Sequence, residues 1–136
     1  MAELAIVGFY LGINALLVLW LIAKVIGVRR SEQISIGDGG NKMLSYFQRG
    51  HGNAIENMPM FFLMLGIAAL LNTPPIALHI LGVLFTLGRI LHAYWFTHPS
   101  DDIKARFVGM LLTLISMAVL ALGLIAHSAV IMAGGY

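Results

Sequence analysis

The chain of 136 residues is 60% apolar and carries only 8 Lys+Arg and 6 Asp+Glu, whereas a soluble domain is about 25% charged. That balance excludes a disordered chain, argues against a water-soluble enzyme and leaves room for one domain, residues 1–136. Cysteine is absent, which removes disulfides, thiolate metal sites and a protein thiol nucleophile. A pI near 9.2 would point to nucleic acid if the basic residues clustered on a solvated face, but here they border apolar runs.

One bilayer crossing takes roughly 20 apolar helical residues, and four such runs are present. The first, Leu4 to Ile26, is interrupted only by Asn14 and Lys24. Its start carries Glu3 rather than a basic cluster, and its length suits a retained span better than a cleaved signal. Gly8 and Gly12 form a small-xxx-small pair that favours close approach of another helix. A polar loop follows, from Gly27 to about Lys42, with three glycines near its end. The second helix is predicted to start around Met43–Ser45 and to reach Leu71, with a polar first half and an apolar second half. Pro59 sits at their junction and is expected to kink it.

Asn72-Thr73-Pro74-Pro75 is a turn signal. The third helix is predicted over Ile76 to Phe96, and the segment 97–102 breaks it. Ser100 reads as the N-cap of the fourth helix, with Asp101 and Asp102 in its first turn. That helix is predicted from Ile103 to Ile131, ending before Gly134-Gly135. The fold class is all-α, an integral membrane four-helix bundle.

Lys24, Arg29, Arg30, Lys42 and Arg49 flank the first loop, and Lys104 and Arg106 flank the third. The second loop and both tails have no Lys or Arg. The positive-inside rule therefore puts loops one and three in the cytoplasm and both termini on the opposite side.

A charged group at the bilayer centre costs about 2.5–3.5 kcal/mol on insertion scales, so Arg49, Glu56 and Arg89 each need a reason. At about 100° per helical residue, Arg49, Asn53 and Glu56 share one face of helix two, and His51 points almost opposite. Arg89, His92 and Phe96 share one face of helix three. All lie in the cytoplasmic half, with Arg106 near the start of helix four. One reading is an ion pair of Glu56 with Arg49 or Arg89 that fixes helix register. Arginines outnumber the single carboxylate, however, and an excess of cations in a partly dry pocket points to an anionic ligand. Asn14 reads as an interhelical hydrogen bond, and His79 and His127 as packed or interfacial groups. The methionines read as core filler. His51 and His92 lack companions at metal-ligand spacing, so no metal is expected.

The segment QRGHGNAIENMP resembles the helix-two signature of the superfamily of membrane-associated proteins in eicosanoid and glutathione metabolism (MAPEG). That signature runs approximately R-x-[HQ]-x-N-x-x-E-x-x-P and is matched by Arg49, His51, Asn53, Glu56 and Pro59. The GDGG before helix two, the segment GRILHA and Arg106 also fit. The resemblance implies a homotrimer with glutathione as co-substrate, bound between subunits on the cytoplasmic side. It implies glutathione contacts at Arg49, Asn53, Glu56, His92 and Arg89, and one from Arg29 or Arg30. It also implies Arg106 as the catalytic group beside the sulfur. Phe96 stands where several family enzymes have a tyrosine, Gly52 where some have arginine, and Met110 replaces a residue of prostaglandin-forming relatives. These departures argue against a specific eicosanoid synthase.

The residue chemistry agrees with that ligand. Arginines suit the two carboxylates of glutathione, Glu56 suits its ammonium and Asn53 offers amide hydrogen bonds. The second substrate would be lipophilic and arrive from the bilayer. Three function classes follow: a glutathione transferase or peroxidase acting on lipophilic electrophiles or lipid hydroperoxides, a non-catalytic glutathione- or lipid-binding scaffold, and a transporter using the intramembrane Arg–Glu set. Membrane lipids are expected partners and nucleic acid is not. The short loops fit a bacterial inner-membrane protein.

Overall fold

The computed structural model describes residues 1–134. Gly135, the second glycine expected to follow helix four, lies outside them. Four helices are present among the described residues: α1 (Ala2–Ser31), α2 (Lys42–Leu70), α3 (Pro75–Thr97) and α4 (Lys104–Met132). All four are long and apolar enough to cross a membrane. Each crosses as a helix because backbone polar groups have no water to bond in hydrocarbon and must be satisfied within the segment. Large apolar side chains such as Phe9, Leu16, Leu63, Ile76, Phe107 and Leu122 lie on the outside, where lipid replaces water.

The boundaries fall close to the apolar runs, with α1 carried one turn further into its basic flank at Arg29 and Arg30. Asn41 caps α2, its side-chain oxygen accepting from the Leu44 amide at 3.0 Å. Pro59 does not end α2, which continues through it to Leu70. Ser100 is not the cap of α4. The helix begins later, after Ile103, and Ser100 Oγ donates to the Asp102 carbonyl at 3.1 Å. The Asp102 carboxylate accepts from the Lys104 amide at 2.9 Å, so the acidic residue next to the helix satisfies one of its free N–H groups in place of the serine.

α2 and α3 form the centre of the bundle: α1 packs on both, α4 packs on both, and α1 and α4 stay apart. At the midpoint Phe61 stacks on Phe85 with ring centres 3.7 Å apart and planes 4° from parallel. Phe62 meets Phe85 edge-on. Asn14 is buried and bridges α1 to α3, donating to Thr86 Oγ1 at 2.8 Å and to the Tyr10 carbonyl at 2.9 Å. His79 hydrogen-bonds the Tyr10 hydroxyl at 3.0 Å, and His127 Nε2 donates to the Leu71 carbonyl at 2.9 Å. These polar groups therefore tie helix to helix.

The close helix approaches are not where the first small-residue pair predicts. Gly8 and Gly12 are exposed, and a Cβ at either would meet nothing within 4 Å. The contacts are instead at Gly50, Gly82, Gly88 and Gly109, with the Tyr10 ring of α1 lying directly over Gly82. A Cβ on Gly109 would stand 2.6 Å from the His92 backbone nitrogen, and one on Gly50 would stand 2.8 Å from Phe96 Cβ. Small residues let backbones approach so that dispersion contacts accumulate where no hydrophobic force operates between helices. Two of these approaches hold the α3 residues His92 and Phe96 against α4 and α2.

Candidate functional site

At the end of the bundle where α2 and α4 begin and α3 finishes, a cavity of about 480 Å³ opens. Its α2 wall is Ser45, Gln48, Arg49, Gly52, Asn53 and Glu56, a stripe at steps of three and four residues that a 3.6-residue period places on one face. α3 supplies His92 and Phe96, and α4 supplies Arg106. Arg49, Asn53, Glu56, His92 and Arg106, each predicted from sequence, are thus brought together. Ser45, Gln48 and Gly52 were not singled out as binding residues, although the same helical spacing places them. Gln48 also holds the first loop, its Nε2 donating to the Gly37 carbonyl at 2.9 Å.

The charges in the cavity are not neutralised by ion pairs among the described residues. Among the described residues the ion pairs are Met1–Glu3 and Lys104–Asp102, so Glu56 pairs with neither Arg49 nor Arg89. Arg49 and Glu56 share the exposed face of α2 but stand about two helical turns apart along it, and Arg89 is turned away from that face and fully buried. Arg89 does not line the cavity. It lies behind Asn53 and donates from Nη1 to Asn53 Oδ1 at 2.9 Å.

Arg106 is held by aromatic faces. Its guanidinium carbon lies 5.2 Å from the Trp95 ring centre and 5.4 Å from that of Phe96, within cation–π range. Trp95 is itself fixed, since its indole N–H donates to the Asp102 carbonyl at 2.9 Å and its ring meets Tyr46 edge-on. The aromatic seat was missed from sequence. Its signal is the spacing of Trp95 and Phe96 from Arg106 across a short loop, which only the turn between α3 and α4 converts into contact.

A second, mainly apolar hollow of about 370 Å³ adjoins the first and is lined by His92, Ile103, Arg106, Phe107 and Met110. His92 and Arg106 belong to both. The two hollows therefore meet at one guanidinium and one imidazole, with polar walls on the α2 side and apolar walls on the α4 side.

Arg29 and Arg30 reach neither hollow within one chain. Arg29 Nη1 donates to the carbonyls of Ile34 and Ser35 at 3.2 and 3.0 Å, closing the loop after α1, and Arg30 is exposed at the helix end. Among the described residues no group of three His, Cys, Asp or Glu is placed to hold a metal ion.

With the helix-two stripe, the α3 imidazole and the α4 arginine around one cavity, comparison with known proteins becomes specific. The MAPEG family model matches residues 7–126. The chain belongs to the MAPEG family. Among relatives of this MAPEG protein, the Inner membrane protein YecN of Escherichia coli K12 is 30% identical over 91 residues, which cover 67% of this chain and 70% of the relative. The protein of the same name from Escherichia coli O6:H1 gives the same values. The MAPEG chain described here is accordingly a multi-pass membrane protein of four helices.

Proposed function

We propose that this MAPEG protein binds glutathione in the polar cavity and activates its thiol as a thiolate for attack on lipophilic electrophiles or lipid hydroperoxides. The observation that carries the reading is the uncompensated charge set: the guanidiniums of Arg49 and Arg106 with the single carboxylate of Glu56. Glutathione offers the complement, two carboxylates and one ammonium. Guanidinium forks match carboxylates geometrically, and Glu56 matches the ammonium.

Arg106 is the group for thiol activation. A free thiol has a pKa near 8.5, and lowering it by two units takes about 2.7 kcal/mol of differential stabilisation. One charge-assisted hydrogen bond in a partly dry site supplies much of that. The protein has no cysteine, so the reacting sulfur comes with the co-substrate. The adjoining apolar hollow would hold the lipophilic substrate against the same arginine. In conjugation the thiolate forms a C–S bond as the leaving group departs with its electron pair. With a hydroperoxide the thiolate takes the distal oxygen, releasing an alcohol once protonated. A second glutathione then converts the sulfenic product to disulfide and water.

Arg49, Glu56 and Arg106 are exposed in the single chain. A homotrimer would cover them and would let Arg29 or Arg30 of a neighbouring copy approach. We place the cavity on the cytoplasmic side of a bacterial inner membrane, with both termini opposite, from the Lys/Arg asymmetry of the loops and from the name of the Escherichia coli relatives. Calorimetric titration of glutathione into the purified protein, followed by the ultraviolet absorbance of the bound thiolate, tests the reading. Phe96 gives the alternative of a non-catalytic binding scaffold its specific support, since it presents a ring without a hydroxyl to the cavity. Tight binding with no turnover over a broad electrophile panel would favour that alternative.

A further inference from the structure

Arg89 has five N–H donors and is fully buried, yet it makes one hydrogen bond, to Asn53 Oδ1 at 2.9 Å. Among the described residues its Nε and Nη2 have no partner. A buried charge left without a counterion is costly, and the one contact it keeps identifies what it does. A guanidinium only donates, so the Asn53 atom that faces it must be the carbonyl oxygen. Asn57 reinforces this from the same helix: its Nδ2 donates to the Asn53 backbone carbonyl at 2.8 Å and lies 3.5 Å from Asn53 Oδ1.

We infer that Arg89 is a positioning residue that locks the Asn53 carboxamide with its oxygen inward, so that Nδ2 is presented to the cavity as a donor. The charge behind the amide also polarises that N–H. The consequence is a directional rule for the ligand. Asn53 takes an acceptor, a carbonyl or carboxylate oxygen, and so do Arg49 and Arg106. Glu56 is the one carboxylate among the cavity residues and takes the ligand's ammonium. The ligand is thereby oriented with its amine at Glu56 and an acceptor one helical turn away at Asn53. The identity of that ligand as glutathione rests on the reading above; the locking of Asn53 by Arg89 does not.

Asn53→Asp in the full-length protein separates the two roles of this side chain. Aspartate accepts from Arg89 as the asparagine does and supplies the missing countercharge, but it offers the cavity no N–H. The thermal midpoint should hold or rise while glutathione affinity falls at least about tenfold. Undiminished affinity in Asn53→Asp would overturn the inference. Arg89→Lys restores one donor to Asn53 Oδ1 and should keep more affinity than Arg89→Met. In an Asn53→Ala background, Arg89→Met should cost no further affinity; an additional loss there would mean that Arg89 touches the ligand and would overturn the inference.

A readout without ligand is the ¹⁵N side-chain amide signal of Asn53, assigned by its disappearance in Asn53→Asp. It should move in Arg89→Met and return toward its position in Arg89→Lys. An Asn53 signal indifferent to Arg89→Met would overturn the positioning role whether or not glutathione binds. A signal that moves in a protein that binds no glutathione would uphold that role and discard the ligand.

Discussion

Arg106 and Trp95 form a clamp across the loop between α3 and α4, with the guanidinium carbon 5.2 Å from the ring centre and the indole N–H bonded to the Asp102 carbonyl at 2.9 Å. The first turn of α4 is fastened to the last turns of α3, so the arginine faces the cavity from a fixed seat. A guanidinium held over an aromatic plane keeps its in-plane N–H groups available.

Truncating that group tests the seat. Arg106→Ala should return the pKa of bound glutathione toward the free-thiol range near 8.5 and lower conjugation by about 10²-fold or more, the scale of losing a preorganised donor. Thiolate absorbance and initial rates measured together across pH check this. Trp95→Leu should show a weaker version, because Arg106 remains but loses its platform.

Glu56 should act on binding and not on folding. It is exposed in the chain and has no ion-pair partner among the described residues, so Glu56→Gln should leave the thermal midpoint within about 0.5 kcal/mol equivalent. Glutathione affinity should drop by about tenfold, the scale of a lost charge-assisted hydrogen bond. Calorimetry on wild type and variant, with unfolding monitored in parallel, reads both quantities. Flux through proteoliposomes that Glu56→Gln abolishes would instead support the transporter reading.

The four spans were legible because apolar runs of sufficient length have one outcome in a bilayer. Their approximate ends followed from the Asn72-Thr73-Pro74-Pro75 turn and the polar segments, whereas the cap at Asn41 was not read from the sequence. The stripe Arg49, Asn53, Glu56 was legible through helical period alone. What lay beyond the sequence was direction and partnership across helices. Period places Arg89 on the face of His92, but it cannot say that Arg89 turns inward to Asn53 while Glu56 turns outward. Nor does period distinguish the unused glycine pair at Gly8 and Gly12 from Gly88 and Gly109, where the α3 and α4 backbones meet. Ser100 failed as a cap for a local reason, since Asp102 lies closer to the first free amides of α4 and takes that place.

The glycine crossing predicts a stability difference. A Cβ at Gly109 would stand 2.6 Å from the His92 nitrogen and 2.7 Å from the Gly88 carbonyl oxygen, and backbone atoms cannot step aside as a side chain can. Gly109→Ala should cost about 1–3 kcal/mol and disturb His92 with it. Gly52→Ala, in the interior of α2 where a Cβ meets nothing within 4 Å, should instead stabilise by up to about 1 kcal/mol through helix propensity. Equilibrium unfolding in a mixed detergent system compares them.

The buried bridge between α1 and α3 predicts a smaller effect. Thr86→Val removes the acceptor of the Asn14 side chain and should cost about 0.6–2 kcal/mol, the range for interhelical hydrogen bonds in membranes. Because Asn14 keeps its bond to the Tyr10 carbonyl, its amide nitrogen is not left unpaired. Asn14→Leu and the double variant complete a cycle whose coupling measures the bridge itself.

The most direct measurement is an ultraviolet difference titration of glutathione into the wild-type protein in mild detergent at neutral pH, repeated with Arg106→Ala. A cavity that binds glutathione and ionises it against Arg106 predicts a saturable thiolate band in wild type, with the stoichiometry of the oligomer, and its loss in the variant. Absence of any saturable band in folded wild-type protein, or a band of equal size in Arg106→Ala, would contradict the account.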